Sequence, residues 1–239
     1  MNKERLKTGL EMMGVAADET ALDRFEAFHA ILDEYNARMD LTAVLDEDER
    51  VDRHDLDSAA PLARGLLAQG AKVIDVGTGA GFPGMPLLIL RPDLQITFLD
   101  ALNKRILFLE DALKRLGLTA ATLHARAEDA AKMAAHREQY DAAVSRAVAN
   151  AATLEELTLP FVKKGGVAIA WKGPGVADEL TAARRAAFLL GGTVRGTVDA
   201  PIPRRADWAH VLLLTDKTGT TPKAYPRKAG TPGKKPLGM

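Results

Sequence analysis

The stretch that decides the fold is Lys72-Val73-Ile74-Asp75-Val76 followed directly by Gly77-Thr78-Gly79-Ala80-Gly81-Phe82-Pro83-Gly84. The β-branched run predicts a short buried strand, and the glycine-rich segment predicts a tight loop that opens a helix. Glycines allow a loop backbone to adopt positive φ and to approach a ligand closely. The pattern therefore favours a ligand-binding loop after the first strand of an α/β sheet over a glycine loop without a ligand.

Strands and helices alternate downstream of this loop. Further strands are predicted at Gln95–Leu99, Ala120–His124, Tyr140–Ser145 and Val167–Trp171, with helices near 84–91, 103–116, 127–138, 151–163 and 176–190. Such alternation is typical of a parallel, doubly wound, Rossmann-like sheet. Two last strands, Thr193–Val198 and Ala209–Leu214, have no helix between them and predict a closing hairpin, which brings the sheet to seven strands.

The two ends of the chain differ from its middle. Apolar residues at Leu22, Phe25 and Phe28 recur at helical spacing, and residues 1–68 are predicted to form a helical N-terminal cap. Residues 69–216 form the predicted α/β domain. Residues 217–239 contain six Lys or Arg and no acid among several Gly and Pro, so a poorly ordered basic tail is expected.

Charge is distributed unevenly along the 239 residues, although the net charge is zero. Residues 1–70 hold 16 acids and 8 bases, whereas residues 151–239 hold 7 acids and 14 bases. An acidic head with a basic tail suggests a directional contact with a polyanion, and solvated faces of unequal sign are the plainer alternative. The sequence shows no export signal and no apolar run of membrane-spanning length, so a cytoplasmic protein is expected.

Two registers of the glycine loop imply different ligands. Gly79, Gly81 and Gly84 fit the dinucleotide pattern G-x-G-x-x-G, whereas Gly77, Gly79 and Gly81 fit G-x-G-x-G with Asp75 two residues upstream. An acid at the strand end repels a pyrophosphate but suits the ammonium group of a methionine moiety. An acid at the end of the second strand, Asp100, suits the ribose hydroxyls of either ligand. The residues favour S-adenosylmethionine over NAD.

The absence of cysteine narrows the chemistry further, because it excludes thiol nucleophiles, thiolate zinc sites and cysteine-bound clusters. Val144-Ser145-Arg146-Ala147 follows the fourth strand, where methyltransferases of exocyclic amines carry Asn/Asp-Pro-Pro-aromatic. Transfer to a ring nitrogen, to oxygen or to a small molecule remains. The histidines lack metal-ligand spacing, so no metal is predicted.

Several separate motifs resemble the bacterial RsmG (GidB) family of methyltransferases that act on N7 of a guanine in 16S ribosomal RNA. They are Asp40-Leu41-Thr42-Ala43-Val44, Arg53-His54-x-x-Asp57-Ser58, Asp75 to Gly84, Arg91-Pro92, Leu99-Asp100 with Lys104-Arg105, Ser145-Arg146-Ala147, Lys172-Gly173 and Tyr225-Pro226-Arg227 with Gly230, Pro232, Lys234, Pro236 and Leu237. The resemblance implies a class I methyltransferase domain over residues 69–216, the cofactor S-adenosylmethionine and a target in the decoding region of the small ribosomal subunit. A monomer is expected.

The resemblance also implies roles for individual residues. The cofactor-binding set is Asp75, Gly77, Gly79, Gly81, Phe82, Asp100, Ala127, Glu128 and Arg146, with Ala127 and Glu128 at the adenine. Arg146, Lys172 and His54 are candidates on the substrate side, and no general base is required, because N7 carries no proton. His54 and Asp57, three residues apart, are also predicted to brace the cap if they are not functional.

The proposed RNA contacts are basic residues, namely Arg53, Lys172, Arg204, Arg205, Arg227, Lys228, Lys234 and Lys235. In a different arrangement of the tail, Tyr225 and Leu237 would pin it onto the sheet instead of leaving it free for phosphates. Three other functions remain open at the level of the residues: a small-molecule methyltransferase, an NAD oxidoreductase and a non-catalytic RNA-binding module.

Overall fold

The computed structural model describes residues 1–146, 149–200 and 202–239. Ala147, the last residue of the Ser-Arg-Ala motif, and Pro201, in the predicted connection of the last two strands, lie outside the described residues. The strands are β1 Lys72–Val76, β2 Gln95–Asp100, β3 Ala121–His124, β4 Tyr140–Arg146, β5 Val162–Lys172, β6 Gly192–Asp199 and β7 Val211–Lys217. They form one seven-stranded sheet in the order β3-β2-β1-β4-β5-β7-β6.

The helices lie before, between and after these strands. They are α1 Lys3–Met12, α2 Glu19–Met39, α3 Glu47–Arg50, α4 Ala60–Ala63, α5 Gly84–Leu90, α6 Asn103–Leu116, α7 Ala127–Ala130, α8 Ala151–Thr158, α9 Val176–Leu189 and α10 Thr231–Lys234. A π-helical turn, Val51–Leu56, continues α3. The predicted seven strands, the predominantly parallel sheet and the N-terminal helices are confirmed. The helix predicted over residues 127–138 is wrong beyond Ala130, because turns follow α7 there.

Five parallel strands bring their carboxyl ends to one edge of the sheet. The register sets Val76 beside Leu99, Asp100 beside His124, and Arg146 beside Trp171. The chain reverses its direction of strand addition between β1 and β4, and in open α/β sheets ligands bind at this switch point. Only β7 runs antiparallel to β5, and β6 pairs antiparallel with β7 as the predicted hairpin.

The N-terminal helices share a hydrophobic core with the sheet. Phe28 of α2 packs against Phe82 of the glycine loop with ring centroids 5.6 Å apart, and Phe108 of α6 lies 6.3 Å from Phe28. Buried Asp52 joins the helices by ion pairs, because Arg5 from α1 contacts both of its oxygens at 2.8 and 2.6 Å. The packing fixes α2 and the π-helical turn over the carboxyl edge of β1 and β4.

The expectation of a poorly ordered tail is wrong, because residues 217–239 pack on the domain. Lys217 is fully buried and donates to the carbonyl of Leu159 at 2.7 Å, with Glu138 3.1 Å away. Arg137 donates to the carbonyls of Thr221 and Tyr225 at 2.8 and 2.9 Å. The side chains of Tyr225 and Leu237 contact the apolar cluster around β1 and β4, so the pinned arrangement of the tail is the one observed.

Candidate active site

The glycine loop forms one wall of a cavity of about 460 Å³ at the switch point. Gly77 and Gly79 adopt φ of 73° and 60°, a conformation that favours glycine, and both line the cavity. A Cβ on Gly79 would meet no atom closer than 4.0 Å, so this part of the loop is open to a ligand. A Cβ on Gly81 would lie 2.9 Å from Leu109, so Gly81 is required for packing beneath the loop.

Asp75 lies under the loop and holds its shape. Its Oδ2 accepts hydrogen bonds from the Thr78 hydroxyl at 2.7 Å and from the Gly84 amide at 2.9 Å. Burial raises the pKa of Asp75 to about 6, although these two hydrogen bonds oppose the rise. The Oδ1 atom makes no hydrogen bond within the described residues. A buried acceptor of this kind is suited to a cationic ligand group, because an unpaired buried carboxylate oxygen is costly.

Asp100 lines the same cavity next to the loop, at the end of β2. Its Oδ2 accepts from the Gly79 amide at 3.0 Å and lies 3.2 Å from Arg105, and its Oδ1 accepts from the Leu102 amide at 2.8 Å. The carboxylate is therefore oriented by the loop itself and lines the cavity where β2 ends. A fixed acceptor there is suited to the paired hydroxyls of a ribose.

Arg146, at the end of β4, connects the sheet to the N-terminal helices. Its Nη1 donates to the carbonyl of Arg53 at 2.6 Å and to Asp57 Oδ2 at 3.0 Å. Its Nη2 lies 3.3 Å from Nδ1 of His54. The guanidinium also lies 5.3 Å from the ring centre of Phe82. His54 and Asp57 of the Arg53-His54-x-x-Asp57-Ser58 motif thus both contact the side chain of Arg146.

His54 is held in its neutral form. Burial, followed by the charge of Arg146, lowers its pKa to about 3. The neighbours assign the tautomer: Nδ1 accepts from Arg146, and Nε2 donates to the Thr42 hydroxyl at 2.8 Å. The imidazole stacks on Phe82 with centroids 4.4 Å apart. A neutral ring adds no positive charge next to the cavity.

A second cavity of about 400 Å³ lies beside the first, toward β5. His54 and Arg146 line both cavities, so the two spaces meet at this pair. Arg53, Asp57, Lys172 and His210 complete the polar part of the second lining. Lys172 is paired with Glu179 at 2.7 Å, and His210 Nδ1 lies 3.1 Å from Asp57 Oδ1. Two adjacent cavities with a common wall can hold two reactants side by side.

The structure separates the predicted site residues into four groups. Gly77, Gly79, Phe82, Asp100, His54 and Arg146 line the first cavity, and Arg53 and Lys172 line the second. Asp75 and Gly81 act beneath the loop. Ala127 and Glu128 do not line the first cavity, and Glu128 instead accepts a hydrogen bond from the tail amide of Gly230 at 2.7 Å.

Several predicted RNA contacts have partners inside the protein. Arg227 forms an ion pair with fully buried Glu156 at 2.6 Å. Arg205 pairs with Asp52 at 2.6 Å and lies over the ring of Trp208. The lysines Lys228, Lys234 and Lys235 and the loop residue Arg204 are exposed. The exposed side chains are the better candidates for phosphate contacts.

Sequence reasoning missed the place of Asn36 beside the site and of His210 in the lining of the second cavity. The Asn36 side chain accepts from the amides of Leu41 and Thr42 at 2.7 and 2.9 Å, and so shapes the turn that presents Thr42 to His54. No local sequence pattern predicts this contact, because Asn36 lies within α2 and belongs to none of the recognised motifs. The motif pointed to Asp57, but it could not predict the partners of Asp57, which are Arg146 of β4 and His210, the residue before β7.

No group of three or more His, Asp or Glu that could hold a metal occurs in residues 1–146, 149–200 and 202–239. Across the same ranges, none of the helices combines the length and the apolar character needed to cross a membrane.

The sheet order, the glycine loop and the acid at the end of β2 together define a class I methyltransferase fold. A TehB-like SAM-dependent methyltransferase from Corynebacterium glutamicum shares this fold, with a TM-score of 0.51 and 17% identity over 80% of this chain and 100% of that one. Residues 21–204 match the GidB family, described as rRNA small subunit methyltransferase G. The chain belongs to this family.

Two relatives cover almost the whole chain. Both are named Ribosomal RNA small subunit methyltransferase G. The relative from Clostridium perfringens (strain 13 / Type A) is 41% identical over 233 residues, which are 97% of each chain. The relative from Alkaliphilus metalliredigens (strain QYMF) is 43% identical over 237 residues, which are 99% of each chain. The agreement extends through the N-terminal helices and the tail, which the fold alone does not require.

The position of Asp100 leads to a first prediction. Replacing Asp100 by alanine is expected to weaken S-adenosylmethionine binding by roughly 2–4 kcal/mol, because two charge-assisted hydrogen bonds to the ribose are lost. Titration calorimetry measures the change, and NAD should give no heat in either protein. Glu110→Ala, an exposed acid of α6, serves as the control. Unaltered cofactor affinity in the Asp100→Ala protein would exclude this carboxylate from the binding site.

Proposed function

We propose that the protein transfers the methyl group of S-adenosylmethionine to N7 of a guanine in 16S ribosomal RNA, in the decoding region of the small subunit. The observation that carries the proposal is the pair of cavities that meet at His54 and Arg146, one of them lined by the glycine loop and Asp100. Sequence identity of 41% and 43% to two rRNA methyltransferases, over 97% and 99% of this chain, supports the choice of RNA over a small molecule.

The residues of the first cavity fit this cofactor. Gly77 and Gly79 allow close approach, Asp100 faces the ribose, and the unpartnered Oδ1 of Asp75 lies buried behind the loop. When bound, S-adenosylmethionine supplies a methyl group activated by a positively charged sulfonium. Against NAD, Asp75 puts a negative charge directly behind the loop that a pyrophosphate would approach.

The side chains of the site align the two reactants and keep their own charges unchanged during the reaction. N7 of guanine has a lone pair and no proton, so no side chain needs to remove one. Neutral His54 adds no positive charge beside a base that would become positively charged on methylation at N7. The charge of Arg146 is matched by Asp57 at 3.0 Å. Rate enhancement then comes from alignment of the two reactants.

Ala127, Glu128 and the exposed basic residues are further parts of the proposal. We place Ala127 and Glu128 near the adenine, with Glu128 oriented by the Gly230 amide at 2.7 Å. We assign phosphate contacts to the exposed residues Arg204, Lys228, Lys234 and Lys235, and to Arg53, whose ion pair with Glu49 is itself exposed. Arg227 is left out because its partner Glu156 is buried. Lys172 and Arg205 reach phosphate only if RNA displaces their carboxylate partners. We further propose a cytoplasmic monomer.

Product mapping tests the function directly. The purified protein is incubated with S-adenosylmethionine and either naked 16S rRNA or small subunits from a strain that lacks the gene. N7-methylguanine is then located by reduction, aniline cleavage and reverse transcription. A single methylated guanine in the decoding region is expected. Incorporation at a base oxygen or an exocyclic amine, or into a small molecule only, would contradict the proposal.

The absence of a proton-transfer step leads to a second prediction. Single-turnover rates should vary little between about pH 7 and 9, since no general base titrates during attack by N7. Below that range the rate should fall as Asp75, whose pKa is raised to about 6, takes up a proton and loses its charge behind the loop. Rapid-quench measurements over this range provide the test. A tenfold rise per pH unit above neutrality would point to a general base and against N7.

A further inference from the structure

The second cavity contains a polar pair that the cofactor does not need. Asp57 is 3% exposed, and its Oδ1 lies 3.1 Å from Nδ1 of His210. The other oxygen, Oδ2, accepts from Arg146 at 3.0 Å, and the backbone carbonyl of Asp57 accepts from the Trp171 indole at 2.9 Å. The carboxylate is therefore fixed by Arg146 of β4 and by the residue before β7, and the Asp57 backbone is fixed by Trp171 of β5.

Asp57 in turn fixes His210. An ionised carboxylate only accepts hydrogen bonds, so in the neutral imidazole the proton lies on Nδ1, and Nε2 presents a lone pair. Within the described residues Nε2 of His210 makes no hydrogen bond, and the side chain is 28% exposed at the cavity. His210 is thus a positioned acceptor at the mouth of the second cavity.

An acceptor at this place distinguishes between purine bases. Guanine carries an exocyclic amino group and an N1–H, both donors, on the edge away from N7. Adenine has no amino group at carbon 2 and presents an acceptor at N1. A site built to accept a hydrogen bond rejects a base that lacks the donor, because its own polar atom is left unpaired.

We propose that the second cavity receives the target guanine and that His210, positioned by Asp57, accepts a hydrogen bond from the exocyclic amino group of that base. The inference rests on the proposed function and adds a specificity-determining residue to it. His54 and Arg146, which line both cavities, then lie where the bound base meets the glycine-loop side. Arg53, exposed on the same lining, reaches the flanking phosphate if it exchanges its exposed ion pair with Glu49 at 2.7 Å for the RNA.

Inosine at the target position tests this contact, because inosine keeps N7, O6 and N1–H and lacks only the amino group. Small-subunit rRNA with guanine or inosine at the mapped site is prepared by ligation, and kcat/KM is measured for both. The wild-type protein should prefer guanine by about tenfold or more. His210→Ala should lose activity on guanine and keep its activity on inosine, so that the preference falls to about one.

The ratio of the two substrates within one variant does not depend on how much of that variant is folded. His136→Gln, a histidine that contacts Tyr140 instead, should keep the wild-type preference. An unchanged preference in His210→Ala, or an equal loss on both substrates, would overturn the role of His210. A wild-type protein that methylates neither substrate at N7 would instead contradict the proposed function.

Discussion

Replacing Arg146 by methionine should remove most methyl transfer and lower the stability of the protein together. The guanidinium lines both cavities and also holds His54, Asp57 and the carbonyl of Arg53. Its loss leaves the carboxylate of Asp57, 3% exposed, without its arginine partner. Removing one partner of a buried ion pair costs about 3–5 kcal/mol. His54, at the junction of the two cavities, then loses the side chain that positions it.

Matched variants separate the charge from the geometry. Arg146→Lys keeps the charge but not the planar fork, so stability should recover more than activity does. Asp57→Asn removes the negative partner while Arg146 remains. Thermal melting, cofactor affinity and single-turnover rate are measured for each. Full activity in the Arg146→Met protein would show that Arg146 has no role in the reaction. A loss of stability with a normal rate in the folded fraction would show that Arg146 is purely structural.

Local patterns in the sequence were sufficient for the architecture of the domain. The β-branched run before Gly77 and the alternation of strands and helices predict β1, the parallel order and the site at the switch point, since period and turn chemistry are local properties. Asp100 was predictable for the same reason, because it directly ends a strand. Residues that end neighbouring parallel strands lie at one edge of a sheet whatever the details of packing.

The ion-pair partners were not predictable, because they join distant parts of the chain. The six positive charges and the Gly and Pro content of residues 217–239 resemble a disordered segment by composition alone. The partners that order the tail, Arg137, Glu138 and Glu156, lie on the turns before β4 and on α8. Lys217 counts as a tail charge in the sequence, but burial lowers its pKa in the structure, and Glu138 only partly offsets this.

The packed tail leads to the last prediction. Arg227→Met should lower the melting temperature by about 10 °C, because Glu156, which is 0% exposed, is left as an uncompensated buried charge that costs about 3–5 kcal/mol. Deleting residues 222–239 should also destabilise the protein, since it removes the Gly230 contact to Glu128 and the apolar contacts of Tyr225 and Leu237. Differential scanning calorimetry measures both changes.

Two sets of variants distinguish a structural tail from an RNA clamp. In Arg227→Met with Glu156→Leu, both charges are gone and most of the lost stability should return, since a buried pair is often replaceable by apolar side chains. Lys228→Met and Lys234→Met change exposed residues, so they should leave the melting temperature unaltered. Each should reduce the log–log salt slope of rRNA binding by about 0.7–0.9 if it contacts a phosphate. If Arg227→Met leaves the melting temperature unchanged, the ion pair with Glu156 contributes little to stability. An unchanged salt slope in both lysine variants would show that the tail serves stability and not RNA binding.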